Sequence, residues 1–453
     1  MAKSQTKIRK LILQGNLYKV FLVISFPILI TNILQAFYEL TDMFYVGKLG
    51  AVPLAALSLT GPINFLIMVL AMGMAMGSIS LMSKSIGEGT FSKFSKYAGQ
   101  LLFLNFILSL FVTVFILLSI DLILDLMSVK GDLRELAKSY FYVTVYAIPI
   151  MFLSISIIYI LNSQGETIIS MIIILITNII NFILDPILMF TLNLGIAGAA
   201  WATFFSKLVT VFSYVFLTYG LNRGFKINVG DIMPDIAIMK NIFNLGLPSA
   251  FGQIMTSLSF LVFNYLVIQI SPKFLAAYGL TNSIIAFLLL PGMSIGTGII
   301  AIVGQNLGAK NVDRVGDALK KGFFVSLVVL LTINAFIIFF REGIISFFTD
   351  DLEVLNYANE YLLLASIGTV GYGLQQVFFG GLIGSGLTKL VMIIICIRLW
   401  VIRLPVVLIF QYFGVIEDSL GYAFIISNYV TFIILLLFTL TKYWLKPQHS
   451  TSV

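Results

Sequence analysis

Charged residues are scarce in this sequence: only 10% of its 453 residues are Asp, Glu, Lys or Arg, whereas 59% are apolar. Ordinary soluble domains contain about 25% charged residues. With a mean hydropathy of +1.05, a soluble fold of this length could not hide its apolar surface from water. The shortage of charge therefore excludes a soluble protein and predicts an integral membrane protein.

Cysteine and histidine are nearly absent, with one residue of each. Cys396 lies within an apolar run, so no disulfide can form within the chain, and His449 lies close to the C-terminus. These numbers exclude a histidine proton relay, a metal cage and a Ser-His-Asp triad inside the membrane. The sequence also lacks a G-x-x-x-x-G-K-[ST] loop. We therefore expect neither an enzyme nor an ATPase, and no cofactor.

Long apolar runs dominate what the sequence does contain. A helix rises about 1.5 Å per residue, so about 20 apolar residues cross a hydrocarbon layer of about 30 Å. The runs are too long and too evenly apolar for the alternating strands of a barrel. We predict an all-α integral membrane fold with twelve transmembrane helices. The predicted spans are 20–46, 54–82, 99–120, 139–161, 168–192, 198–220, 242–270, 275–303, 322–340, 358–383, 390–411 and 420–441.

Lys and Arg are distributed unevenly among the loops between these spans. Most of them lie on the side of the N-terminus, and an excess of Lys and Arg marks cytoplasmic loops. We therefore expect both termini in the cytoplasm, and we interpret the basic N-terminal stretch as a retained tail. The net charge of +7 reflects this topology. No soluble basic domain is present that could bind nucleic acid.

The two halves of the sequence form an internal repeat with an offset of 221 residues. Residues that recur at this offset include Pro27/Pro248, Thr60/Thr281, Gly77/Gly298, Tyr140/Tyr361 and Thr210/Thr431. A chance alignment of apolar segments would match Leu and Ile rather than this set. We predict two pseudo-symmetric six-helix bundles, an N-lobe at 1–225 and a C-lobe at 242–453, joined by a cytoplasmic linker at 226–241. Such paired lobes are typical of secondary transporters that work by alternating access.

Several segments resemble signature regions of the multidrug and toxic compound extrusion (MATE) family, prokaryotic type. In the first half they are FPILITNILQAFYELTDMFYVGKLG, LAALSLTGPI, SKSIGEG, NSQGET, NFILDPILMF and GIAGAAWAT. In the second half they are LPSAFGQ, LAAYGLTNSI and GQNLGAKN. The resemblance covers essentially the whole chain.

This resemblance implies an antiporter in the inner membrane of a prokaryote. It would expel cationic or amphipathic organic compounds in exchange for H⁺ or Na⁺, and we expect it to act as a monomer. A flippase for lipid-linked oligosaccharides on the related fold is the alternative. Flippases of that kind tend to have extra spans and a basic cavity. Arg398 and Arg403 of span 11 keep this alternative open.

Acidic residues inside the predicted spans are the first candidates for a functional site, because a charge near the bilayer centre costs about 2.5–3.5 kcal/mol. Glu39, Asp42 and Asp185 lie well inside spans, and all three are in the first half. Glu39 and Asp42 are three residues apart, so both project from the same helical face. We predict that the ion site lies in the N-lobe.

Asp185 directly precedes Pro186 on span 5. Proline has no N–H to donate, so the carbonyl of residue 182 is left free and forms a polar spot in the helix. Asn181 lies one turn before Asp185. With Asp42, these groups form an oxygen-rich pocket that suits a small hard cation. Two close carboxylates cannot both stay charged without a cation, and the sequence leaves both H⁺ and Na⁺ open.

The resemblance assigns further roles. Asn181, Asp185 and Thr203 correspond to N-lobe cation-site residues of archaeal-type members, and Asp42 matches the acidic residue of span 1. Together these four residues could bind Na⁺. Tyr140 matches a position near the N-lobe cavity, although a Tyr at the start of a span is as often an interfacial anchor.

Alternative roles remain open for four charged residues inside the spans. Glu39 could titrate, attract a cationic drug or extend toward water. Lys207 could pair with Asp185 when no cation is bound, or extend to the cytoplasmic end of its helix. For Arg398 and Arg403 we expect pairing with negative helix ends or lipid phosphate, and substrate contact is the alternative.

Overall fold

Helices make up nearly all of the computed structural model, which describes residues 3–221 and 226–445. His449, which was considered above, lies outside these ranges. No β-strand occurs in the part of the chain that the structure describes. Twelve of the described helices are long and apolar enough to cross a membrane. The chain is therefore a multi-pass membrane protein, and the predicted all-α fold with twelve spans is confirmed.

The helices of the first half begin with a short helix ahead of the first span. They are α1 (Lys3–Gln14), α2 (Leu17–Lys48), α3 (Ala51–Glu88), α4 (Phe91–Leu126), α5 (Gly131–Gln164), α6 (Thr167–Pro186), α7 (Gly195–Val215) and α8 (Val229–Ile232). Two of them continue as single π-helical turns, Ile187–Thr191 after α6 and Phe216–Gly220 after α7.

The helices of the second half repeat this pattern. They are α9 (Ile236–Ile268), α10 (Pro272–Gly308), α11 (Val312–Ser346), α12 (Leu352–Gly384), α13 (Thr388–Cys396), α14 (Leu404–Tyr412) and α15 (Ser419–Leu440), followed by a 3₁₀ turn at Tyr443–Leu445. A π-helical segment, Ile397–Arg403, joins α13 to α14 within one continuous span.

Glycine ends two of the long helices of the first half. Gly89 follows α3 with φ at 79°, and Gly165 follows α5 with φ at 81°. This left-handed conformation is easily reached by glycine and strained for other residues. The backbone N–H groups of these two glycines donate to the last turns of α3 and α5. The long apolar runs are thereby cut into separate spans.

The contacts divide the chain into two compact units. The first unit comprises residues up to Leu11 and Ile30–Ala250; the second comprises Ile12–Leu29 and the described residues from Phe251 onward. The boundaries fall inside α1, α2 and α9, and the last two lie shortly after Pro27 and Pro248. These units are defined by contacts, whereas the predicted lobes are defined by the sequence repeat, so the two divisions differ at 12–29 and 226–250.

In the first unit, α5 is the central element. It packs against α3, α4 and α7, and α7 packs in turn against α6. The largest fully buried side chains of this unit are aromatic and include Phe94, Phe141 and Phe152. These contacts fix α6 and α7, which carry most of the candidate site, against the rest of the unit.

In the second unit, α12 packs against α10, α11 and α15. Small residues allow the closest of these approaches. A Cβ atom on Gly292 of α10 would lie only 2.5 Å from the Cα atom of Gly373 on α12, and Gly296 and Gly380 meet in the same way. Close packing through small residues is a common way for membrane helices to associate.

Candidate functional site

Two carboxylates from different helices meet inside the first unit. Asp42 lies on α2 and Asp185 lies at the end of α6, and their carboxyl groups are within hydrogen-bonding range of each other. The Asp185 side chain is fully buried. Asp42 Oδ1 and Asp185 Oδ2 are both buried, and no donor is bonded to either. Two carboxylates in this arrangement repel each other unless a proton or a metal cation lies between them.

Asn181 adds an amide to this acid pair. It lies one turn before Asp185 on α6, it is fully buried, and its Nδ2 donates to Asp185 Oδ1 at 3.3 Å. Its own Oδ1 is buried and has no hydrogen-bond donor. Rotating the amide by half a turn would present this oxygen to the carboxylates. The site thus offers up to three oxygen ligands to a cation.

The end of α6 explains how these groups come together. Pro186 has no N–H, so the regular hydrogen-bond ladder is interrupted there, and the chain continues as the π-helical turn Ile187–Thr191. Single π-helical turns occur frequently at functional sites because they displace side chains from the regular helical positions. This break lies immediately after Asp185.

Thr203 of α7 is hydrogen-bonded to Tyr38, which lies within electrostatic range of both aspartates. The Tyr38 hydroxyl donates to Thr203 Oγ1 at 2.8 Å and lies 3.4 Å from Ser206 Oγ. Sequence reasoning missed Tyr38, which lies one turn before Asp42 on α2. Its i, i+4 spacing from that aspartate is the signal that could have identified it.

Lys207 lies buried beside the same tyrosine. Only 8% of the residue is exposed, and Nζ lies 4.3 Å from the centroid of the Tyr38 ring. The carboxylates whose charge it feels are those of Asp42 and Glu39. It forms no ion pair with any residue that the structure describes. The expectation that it extends to the cytoplasmic end of the helix is wrong, because the ring and the neighbouring carboxylates hold its charge inside.

Glu39 and Tyr140 differ in burial: Glu39 is exposed and Tyr140 is buried. Glu39 is exposed, hydrogen-bonded to Gln35 and close enough to Lys207 to feel its charge. Tyr140 of α5 is buried among the apolar residues around Val46, within electrostatic range of both aspartates. The structure therefore brings Tyr140 close to the acid pair and leaves Glu39 outside it.

The two arginines of span 11 are buried in the second unit. Arg398 Nη1 and Arg403 Nη2 both donate to Asn428 Oδ1, at 3.2 and 2.9 Å, and Arg403 Nε donates to Ser427 Oγ at 2.8 Å. Only 4% of Arg398 and 9% of Arg403 is exposed. The expected pairing with helix ends is therefore wrong, since side chains of α15 accept these bonds, and pairing with lipid phosphate stays a prediction.

Twelve apolar spans and a pair of acidic side chains inside one unit are typical of helical membrane transporters. The MatE family model matches residues 27–187 and 248–409. The chain therefore belongs to the MatE family, the multidrug and toxic compound extrusion transporters that its sequence segments resemble. This is a family of transporters and not of enzymes.

Relatives and solved structures of this family match nearly the whole chain. The probable multidrug resistance protein YoeA of Bacillus subtilis is 25% identical over 402 residues, 86% of each chain. The FAD transporter of Shewanella oneidensis is 26% identical over 413 residues, which is 90% of this chain and 91% of the relative. A solved outward-facing structure of a multidrug resistance MATE family transporter has a TM-score of 0.89 at 25% identity, over 95% of this chain and 97% of that one.

Proposed function

We propose that this protein is a secondary active exporter that expels organic cations or amphipathic compounds in exchange for H⁺ or Na⁺. It works by alternating access, as a monomer in the inner membrane of a prokaryote with both termini in the cytoplasm. Membership of the MatE family supports export, and so do the multidrug names of the B. subtilis relative and of the solved transporter.

The observation that carries the coupling part of this proposal is the set of buried oxygen atoms without donors. Asp42 Oδ1, Asn181 Oδ1 and Asp185 Oδ2 are all of this kind. A buried polar atom without a partner costs about 1–3 kcal/mol, and more when it is charged. A bound proton or Na⁺ removes this cost, because either cation lies between the carboxylates and neutralises one charge.

The second half of the chain lacks matching acids. At the offset of 221 residues, Phe260, Phe263 and Val406 stand where the first half has Glu39, Asp42 and Asp185. The coupling cation therefore binds in the first unit alone. Lys207 competes with it there, because its positive charge acts on Asp42 as well. When the cation leaves, the positive charge of Lys207 still acts on Asp42.

The test is drug transport by purified protein in liposomes with the Na⁺ and H⁺ gradients imposed separately. A fluorescent organic cation such as ethidium serves as the probe. We expect transport under at least one gradient, and we expect Asp42→Asn to abolish it because the acid pair loses a charge. Asp132→Asn, the same change at an exposed aspartate of α5, is the matched control and should transport normally.

Undiminished transport by Asp42→Asn, in protein that elutes and unfolds like the wild type, would overturn the assigned coupling site. FAD export is a second arm of the same assay, since the Shewanella relative is named an FAD transporter. Transport of FAD without transport of ethidium would overturn the proposed cargo. Transport of neither, with movement of a lipid-linked oligosaccharide, would favour the flippase alternative.

A further inference from the structure

The second unit contains two positive charges that no carboxylate neutralises. Arg398 and Arg403 form no ion pair in the part of the chain that the structure describes. The ionisable groups nearest to Arg403 are Arg398 and three tyrosines, Tyr361, Tyr278 and Tyr372. Buried charges in membrane proteins are normally paired, and those that persist mark functional sites. Two buried cations without a carboxylate partner favour an anionic ligand.

The hydrogen bonds that the two arginines make go only to neutral side chains. Asn428 Oδ1 accepts from both guanidinium groups, so the two like charges are held side by side on one oxygen atom. Asn428 is itself fixed by a bond from its Nδ2 to the carbonyl of Gly368 at 3.1 Å. This arrangement positions the two charges without neutralising either of them.

Several donors of this pair remain free. A guanidinium group has five N–H donors, and Arg403 uses only those on Nε and Nη2. Arg398 Nε is buried and has no partner. Planar, forked donors of this kind match the oxygen atoms of carboxylates and phosphates. The unused N–H donors therefore favour a ligand with carboxylate or phosphate oxygen atoms.

A cavity in the second unit gives access to Arg403. Tyr278, Asn282, Tyr361 and Arg403 supply its polar groups, and Phe263 and Phe424 are among its apolar walls. The ring centroids of Tyr278 and Tyr361 are 5.1 Å apart. The centroid of the Phe424 ring lies 4.6 Å from the Arg403 guanidinium carbon. Its empty space, open mouth included, is about 340 Å³.

The backbone at the arginines supports the same conclusion. Both lie in the π-helical segment Ile397–Arg403, in the middle of a span. The segment is longer than the single turn after Asp185, and π-helical segments of this kind are frequent at functional sites. Asp185 of the first unit and both arginines of the second unit thus lie at breaks in spanning helices.

We propose that Arg403 and Arg398 form an oxyanion site in the second unit, which binds the carboxylate or phosphate group of a transported solute or of a lipid headgroup. Tyr278, Tyr361 and Asn282 line the cavity and supply further donors to the oxyanion. The site is separate from the cation site, and it does not depend on which cation drives transport.

The test is direct binding to the full-length protein in nanodiscs of phosphatidylcholine, measured by calorimetry. Benzoate and phenyl phosphate are the probes, and benzamide is the uncharged analogue of benzoate. We expect the anions to bind about tenfold or more tightly than benzamide, and Arg403→Gln to remove this preference. Arg341→Gln, at an arginine of α11 that does not line the cavity, is the matched control and should bind like the wild type.

Arg403→Lys covers the case in which Arg403→Gln does not fold, because it keeps a positive charge but loses the forked donors. We expect it to bind phenyl phosphate several-fold more weakly than the wild type. Equal binding of benzoate and benzamide by the wild type, or unchanged anion binding in both Arg403 variants, would overturn the proposal. Adding phosphatidylglycerol to the nanodiscs separates the two sources: competition with phenyl phosphate identifies a lipid headgroup, and no competition identifies a solute.

Discussion

The ammonium nitrogen of Lys207 lies 4.3 Å from the centre of the Tyr38 ring. The same tyrosine donates from its hydroxyl to Thr203 Oγ1 at 2.8 Å. Tyr38 therefore connects a buried cation on one turn of α7 with a polar side chain on the preceding turn. Tyr38 also lies within electrostatic range of Asp42 and Asp185, so a change at Tyr38 should affect both Lys207 and the acid pair.

Replacing Tyr38 by phenylalanine tests the hydroxyl apart from the ring. Tyr38→Phe removes the bonds to Thr203 and Ser206, and we expect a loss of about 1 kcal/mol in the free energy of unfolding. Tyr38→Leu also removes the contact with Lys207 and should lose a further 0.5–2 kcal/mol or so. Thermal unfolding in detergent checks both variants. Tyr146→Phe, at an exposed tyrosine of α5, is the control; equal melting temperatures for all three variants would contradict the role of the hydroxyl.

Replacing Lys207 by methionine tests the competition between its charge and the coupling cation. Lys207→Met keeps the length of the side chain and removes the positive charge that acts on Asp42. We expect the cation to bind more tightly, so the Na⁺ or H⁺ concentration for half-maximal efflux should fall by about tenfold, or 1.4 kcal/mol. Efflux titrations check this, with Lys93→Met at an exposed position of α4 as the control. If the cation concentration for half-maximal efflux rises in Lys207→Met, Lys207 assists cation binding.

The twelve spans could be predicted from the sequence because each apolar run exceeds the thickness of the bilayer. The sequence also identified Asp42 and Asp185 as candidates, since acids inside spans are rare. Their mutual contact could not be predicted, because it depends on how α2 and α6 pack. Tyr38 was missed for a different reason: tyrosine is common in membrane helices, and its hydroxyl becomes informative only when its partners on α7 are known.

The protein partners of Arg398 and Arg403 were missed for a related reason. Within span 11 their neighbours are apolar, so the sequence favoured contacts at helix ends or with lipid. The partners are Ser427 and Asn428 on α15, which lie in the following span. The repeat held a clue, since Lys207 of the first half corresponds to Asn428 at the offset of 221 residues. The charge at this position has been lost in the half that contains the arginines.

Replacing Gly292 by alanine tests the close approach of α10 and α12. The added Cβ atom would lie 2.5 Å from the Cα atom of Gly373, and backbone atoms cannot move aside as a flexible side chain would. We expect Gly292→Ala to lower the free energy of unfolding by about 1–3 kcal/mol. Gly279→Ala, on the same helix with nothing within 4 Å of its Cβ atom, should be neutral or slightly stabilising. Thermal unfolding of the two variants measures this difference. Equal destabilisation of both variants would refute the steric explanation.

Replacing Asn181 by leucine separates the two coupling cations. Na⁺ needs neutral oxygen ligands in addition to carboxylates, whereas a proton needs only one carboxylate oxygen. If Na⁺ drives export, Asn181→Leu should weaken Na⁺-driven efflux by about tenfold or more. If H⁺ drives it, efflux under a pH gradient should persist in the variant, with a loss of stability of about 1 kcal/mol from the bond to Asp185.

Asn178→Leu is the comparison that makes the Asn181 result specific. Asn178 lies one turn before Asn181 on α6, and its Nδ2 donates to the carbonyl of Leu34 at 2.6 Å, so it also joins α6 to α2. The Asn178→Leu variant should lose a similar amount of stability, while its efflux should depend on Na⁺ as in the wild type. If both variants lose Na⁺-driven efflux equally, the cause is the packing of α6 on α2. If only Asn181→Leu loses it, the amide oxygen is a ligand of the transported Na⁺.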